Sequence, residues 1–164
     1  MKNYLIKLLT TVLCIGAAQI CHAEKKFQKV AEINGVESVY MGKAIIQMAF
    51  RTSPQVNIAN IMQLPADIAE RINSIEVLKC GGISKMKSAK RTAGEIIQSM
   101  NLEVLLEGIK NDSEMTIIYG QPINHEGSEH IKNLIIEVIK NNKYSLIYID
   151  GIISFNKLNV NLNL

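Results

Sequence analysis

The sequence predicts an α+β domain: a single mostly antiparallel sheet of five or six strands, helices packed on one face, and a C-terminal four-strand meander. Three observations predict it. The first half alternates short strand-like runs with segments of helical period. The second half, from Leu102 onward, holds apolar runs separated by short polar turns, which suits hairpins. No repeat, low-complexity segment or Pro/Gly/Ser-rich linker divides the chain. Residues 24–164 therefore read as a single α+β domain, long enough for a real core.

Residues 1–23 stand apart and read as a signal peptide. Lys2 and Lys7 make a positive start, and residues 8–20 are apolar except for Thr10, Thr11 and Gln19. That run is shorter than the roughly 20 residues a membrane span needs. Ala23 supplies the small residue before a cut, so cleavage is expected between Ala23 and Glu24. A lipid anchor would need a small residue before the modified cysteine. Ile20 precedes Cys21 and Leu13 precedes Cys14, so both are poor sites. The expectation is a protein exported to the periplasm or extracellular face of a bacterial envelope, with no transmembrane segment after signal removal.

Export changes the counts. Of three cysteines only Cys80 stays, so no internal disulfide forms. Cys80 ends an apolar run and reads as a small buried hydrophobe. Losing Lys2 and Lys7 leaves 16 basic residues against 15 acidic, which calls for no nucleic acid or acidic substrate. The basic cluster Lys79, Lys85, Lys87, Lys90 and Arg91 lacks aromatics and reads as a solvated helix face. Trp is absent, so the core must be aliphatic.

Residues 24–35 start polar and suit a short helix. Residues 37–41 read as a strand. Met41, Ala44, Ile45 and Met48 then repeat at i, i+3, i+4 and i+7, one helix face. Pro54 ends that helix. Residues 57–62 fit either state. Pro65 suits the first residue of a short helix, with Leu64, Ile68 and Ile72 on one side. Residues 74–80 form the next strand, broken by Gly81 and Gly82. Ser84 is a candidate N-cap, and Met86, Ala89, Ala93, Ile96, Ile97 and Met100 form the stripe of a second helix.

The meander follows. Residues 102–110 are strand-like, residues 111–114 carry turn chemistry, and residues 115–120 form a strand. Residues 121–129 read as a polar loop, residues 130–140 as a strand rich in Ile and Val, and residues 144–152 as its return past Asn141 and Asn142. Hairpin links leave little room for helices on one face here, so that face should be wetter. Tyr144, Leu146 and Tyr148 alternate with Ser145, Ile147 and Ile149, and both sides are apolar. Either this strand is central and covered twice, the preferred reading, or its outer face is an exposed apolar patch that marks a partner surface. Gly151 interrupts it and predicts a bulge, a turn or a close backbone approach. The tail alternates Asn with Leu or Val from Leu158 to Leu164. Phe155, Leu158 and Leu162 also share a helix face, so a short helix fraying into an extended tail is expected.

Candidate chemistry is sparse, and no cofactor or catalytic residue is expected. His125, Glu126, Glu129 and His130 are weak metal candidates, because zinc accepts these donors. The zinc-peptidase helix spaces its histidines four apart, whereas these are five apart around Gly127 and Ser128. A solvated hairpin loop fits better. Gly81 to Ser84 lacks the second glycine of a phosphate-binding loop and reads as a turn and helix cap. A Gly-x-Ser-x-Gly elbow is absent.

Three stretches carry a family resemblance. They are Gly35-Val-Glu-Ser-Val-Tyr40 before a helix, Ile75-Glu-Val-Leu78 before a second, and the closing strand pair reaching Ile149-Asp-Gly-Ile-Ile153. Over residues 27–160 the chain resembles the bacterial exported-protein family called domain of unknown function 4252. The family ends in a charged short helix, where this chain has Asn/Leu alternation. The resemblance implies no activity and no site residue. It implies a link to envelope signalling, since such genes neighbour extracytoplasmic sigma and anti-sigma factors.

The resulting expectation is a non-enzymatic module that binds another envelope protein. The alternative is a periplasmic carrier of a small apolar ligand, and the remote one a metal-binding enzyme using the 125–130 loop.

Overall fold

The computed structural model describes residues 25–53, 55–111, 114–125, 128–154 and 159–160. The expected signal segment, its cleavage point at Ala23 and Glu24, and Cys21 lie outside the described residues. The order is helix α1 (Gln28–Ala31), strand β1 (Glu37–Gly42), helix α2 (Lys43–Thr52) and strands β2 (Gln55–Ile58) and β3 (Met62–Pro65). A 3₁₀ helix (Ala66–Arg71), strand β4 (Ile72–Gly81) and helix α3 (Ile83–Ser99) come next. Then follow β5 (Glu103–Asn111), β6 (Glu114–His125), β7 (Ser128–Lys140), β8 (Lys143–Ser154) and β9 (Asn159–Val160).

Six strands make one antiparallel sheet in the order β1-β4-β8-β7-β6-β5. Strands β5 to β8 are the expected meander, and β8 closes it onto β4. Asn141 and Asn142, at φ 52° and 58°, turn β7 into β8. Positive φ at both central residues is what a two-residue type I′ hairpin requires. A second sheet of β2, β3 and β9 lies apart from the first in pairing. Residues 159–160 are thus extended and pair with Met62 and Gln63, while the expected helix start at Phe155 lies outside the described residues.

The expectation of helices on one face is corrected. Ile75 and Val77 of β4, with Ile147 and Ile149 of β8, pack against Ile46 and Phe50 of α2 and against the β2–β3 hairpin. Leu78 and Cys80 of β4, with Leu146 and Tyr148 of β8, pack against Ala89, Ala93 and Ile97 of α3 and against Phe27 and Val30. Strands β4 and β8 carry large apolar side chains on both sides, so each face needs a cover. Each such side chain contributes about 1.5–3 kcal/mol by leaving water. Strand β8 is central and buried on both faces, as the alternation of Tyr144 to Ile149 implied. The wetter face is not found either: Thr116 and Ile118 on one side of β6 and Met115 on the other are all buried.

Three local readings also change. Helix α2 turns Ile46 and Phe50 inward and leaves Ile45 and Met48 exposed, the reverse of the expected stripe. Met41 belongs to β1, and burying Phe50 removes more apolar area than burying Met48 would. Of the expected loop over residues 121–129, residues 121–125 and 128–129 are strand: β6 runs to His125 and β7 starts at Ser128. Pro122 is tolerated because β5 begins at Glu103, opposite Gly120, and does not reach it. Gly82, at φ 90°, caps α3 in place of Ser84, and Pro65 sits just before its 3₁₀ helix.

Gly151 bears out the close approach. A Cβ there would lie 2.5 Å from the carbonyl oxygen of Arg71 and 2.8 Å from the Cα of Ile72. The expected bulge is there too: between Lys132 and Leu134, Asn133 of β7 faces both Asp150 and Gly151 of β8, and the β4–β8 register shifts between Ile72 and Ser74.

Candidate functional site: an apolar recess beside an open edge

The meander sets the first candidate site. Strand β6 continues five residues beyond Gly120, where β5 has not begun. That notch opens a recess of about 420 Å³ lined by Leu105, Pro122, Ile123, Asn124, Glu129, His130 and Ile131. Gly120 lets its walls meet, because a Cβ there would lie 2.9 Å from Leu105 Cδ1 and closer still to Ile131. Four of the lining residues are apolar, with the polar groups of Asn124, Glu129 and His130 among them.

The 125–130 candidates are thus placed on a hairpin. Its register sets His125 opposite Ser128, Asn124 opposite Glu129 and Ile123 opposite His130. Glu126 lies outside the described residues, and Glu129 is exposed. His130 is 4% exposed, and Arg71 Nη1 lies 3.0 Å from its Nε2. A guanidinium can only donate, so Nε2 accepts and the ring proton sits on Nδ1. That bond commits the nitrogen a metal would need. Among the described residues no group of three metal-type ligands comes together. Sequence reasoning missed Arg71, because 59 residues separate it from His130 and no local pattern joins them.

Two further buried carboxylates were also missed. Glu76, on β4, accepts the backbone N–H groups of Lys26 at 2.6 Å and Phe27 at 3.1 Å. Burial pushes its carboxyl above the ordinary value, and those bonds oppose the push. Glu137, on β7, accepts the hydroxyls of Tyr119 at 3.1 Å and Tyr144 at 2.5 Å. Burial and then the Glu137 charge drive both phenols upward, so they stay protonated. Both carboxylates tie the fold together. The signal for each was an acidic residue at an apolar position of a strand.

Cys80 is buried as expected, and burial pushes its thiol up, so it is a poor nucleophile. The basic cluster is a solvated face in part. Lys85, Lys87, Lys90 and Arg91 are exposed on α3, whereas Lys79 of β4 reaches the carbonyl of Ala59 at 3.4 Å.

The second feature is apolar exposure at the sheet's ends. Val104 and Ile109 of β5 are 57% and 61% exposed. Among the described residues strand β5 is bonded to β6 alone, and it bulges between Val104 and Leu106 and between Ile109 and Asn111. At the other end, Val39, Ile45 and Met48 are exposed. No helix among the described residues is long and apolar enough to cross a membrane.

A family model described as Domain of unknown function (DUF4252) matches residues 27–160, most of the chain. No curated protein and no solved structure matches.

Proposed function

We propose that this chain, which belongs to the DUF4252 family, is an exported, non-enzymatic domain that holds an extended segment of another envelope protein at the free edge of β5. One observation carries the reading: an open edge strand runs into an apolar recess, and Leu105 belongs to both. Strand addition draws affinity from backbone hydrogen bonds and specificity from alternate side chains that find pockets. Residues 106–109 lie between the two bulges and keep regular pairing to β6. Val104 and Ile109 supply exposed apolar contact at either end of that stretch. An apolar anchor of the partner entering the recess adds about 1.5–3 kcal/mol. Export rests on the composition of residues 1–23, and the link to envelope signalling rests on the family resemblance.

A photo-crosslinking residue at Val104 or at Ile109, expressed in the native host, tests this. The same protein adduct should form from both positions and fail to form from Ile83, an exposed residue at the start of α3. Equal adducts from all three positions, or none from β5, would overturn it.

A second reading, a carrier of a small apolar ligand, is favoured by the recess volume of about 420 Å³. That lies within the range of small-molecule pockets, ≈ 300–1,000 Å³. Native mass spectrometry of host-purified protein would then show a retained small molecule, lost in Ile131→Trp.

A further inference from the structure

Strand β1, at the opposite end of the sheet from β5, is bonded among the described residues only to β4. Its pairing runs unbroken from Glu37 to Gly42, with no bulge and no proline. Glu37 is its one charged residue. Folded proteins blunt their free edges with bulges, prolines or several charges, and β5 has two bulges and two glutamates. Strand β1 lacks those devices, although Glu37, Ser38 and Val39 are exposed.

Helix α2 adds apolar surface beside that edge. It starts directly after β1 and turns Ile46 and Phe50 inward. Ala44, Ile45 and Met48 stay exposed, Ile45 at 55% and Met48 at 62%. Val39, 55% exposed, is paired with Val77, which packs in the same cluster as Ile46 and Phe50. The open backbone edge, Val39 and the apolar flank of α2 therefore belong to the same side of the sheet. An occupant must meet backbone groups along the edge and apolar surface above it.

We propose that this occupant is a second copy of the chain, joined through β1 in antiparallel fashion about a two-fold axis perpendicular to the sheet. Such an axis keeps both α2 helices on the same face, so Ile45 and Met48 of one copy pack against those of the other. The charges select this arrangement. Glu37 opens β1 and Lys43 immediately follows its end, both exposed. Antiparallel self-pairing brings Glu37 of each copy toward Lys43 of the other, twice. Within its own chain Glu37 lies opposite Lys79 of β4, so the edge carries no surplus of like charge.

Light scattering and sedimentation equilibrium on host-purified protein test this. The wild-type chain forms a dimer that dissociates on dilution. Ile45→Glu and Met48→Glu give monomers with an unchanged unfolding midpoint, because both residues are exposed. Glu37→Lys and Lys43→Glu each raise the dimer dissociation constant about tenfold, since each swap turns two attractions into repulsions. The double variant E37K/K43E returns it to the wild-type value. A wild-type monomer at every soluble concentration would overturn the proposal. So would a dimer that survives Met48→Glu, or a double swap that fails to restore association. A monomer that instead sediments with anionic lipid vesicles would assign this surface to a membrane and overturn it too.

Discussion

The carboxylate of Glu76, buried in the sheet, accepts the backbone N–H of Phe27 at 3.1 Å. A second bond, to Lys26, uses its other oxygen. Phe27 is fully buried, and its ring meets Tyr148 edge-on at 5.6 Å. One side chain thus holds the two backbone N–H groups just ahead of α1 and seats an aromatic on the sheet. A glutamine can satisfy only one of the two donors. Glu76→Gln should therefore cost about 1–3 kcal/mol and speed amide exchange at Lys26 and Phe27. Unchanged exchange there would show that the N-terminal segment is held by Phe27 alone.

The same residue sets a pH dependence. Burial raises the Glu76 carboxyl above its ordinary 4.5, so the folded state holds the proton more tightly than the unfolded state. Its contribution is then fully present below 4.5 and is lost as pH rises through the folded value. Wild-type protein should gain stability relative to Glu76→Gln as pH falls from neutral toward 4.5. Unfolding free energies of the two proteins that run parallel across that range would contradict the shift.

Gly151 has no room for a side chain. A Cβ would meet backbone, the Arg71 carbonyl oxygen at 2.5 Å and the Ile72 Cα at 2.8 Å. Backbone cannot rotate away as a flexible side chain can. Gly151→Ala should lower stability by about 1–3 kcal/mol and Gly151→Val by more, read from the denaturant midpoint. Equal midpoints for Gly151 and the alanine variant would mean that β4 and β8 move apart without cost.

Much of this fold was legible because its signals are local. Asn141 and Asn142 announce a hairpin, and the doubly apolar Tyr144 to Ile149 run announces a central strand. That run also implied cover on both faces, which the one-sided helix expectation ignored. Helix α2 misled for a different reason: it is apolar on two flanks, and only the position of the sheet decides that Phe50 goes in and Met48 stays out. The extension of β6 over residues 121–125 was hidden by Pro122, a loop signal that an unaccompanied strand end tolerates. The Arg71–His130 and Glu76–Phe27 contacts join residues 59 and 49 positions apart, so no window of sequence contains them.

Ala59 is held at φ 58°, beside Asn60 at φ 61°, in the turn between β2 and β3. Every other non-glycine residue with positive φ among those described is asparagine, which tolerates this region. Alanine pays roughly 1–2 kcal/mol there. Glycine removes the clash but widens the unfolded ensemble, so Ala59→Gly should stabilise by about 0.5–1 kcal/mol. A lower midpoint for Ala59→Gly would contradict the left-handed turn.

His130 tests the metal reading against the structural one. Its Nε2 accepts from Arg71, and the imidazole is nine-tenths or more buried. Removing the ring leaves the guanidinium short of an acceptor and opens a hole beside Ile131, so His130→Ala should cost about 1–3 kcal/mol. Bound metal per chain, measured by elemental analysis, should be the same in wild type and in the double variant His125→Ala, His130→Ala. The two readings separate cleanly, because a structural role moves the unfolding midpoint and leaves the metal content alone. Loss of one metal equivalent from the double variant would instead make the hairpin a metal site, with Arg71 displaced from Nε2 when the ion is bound.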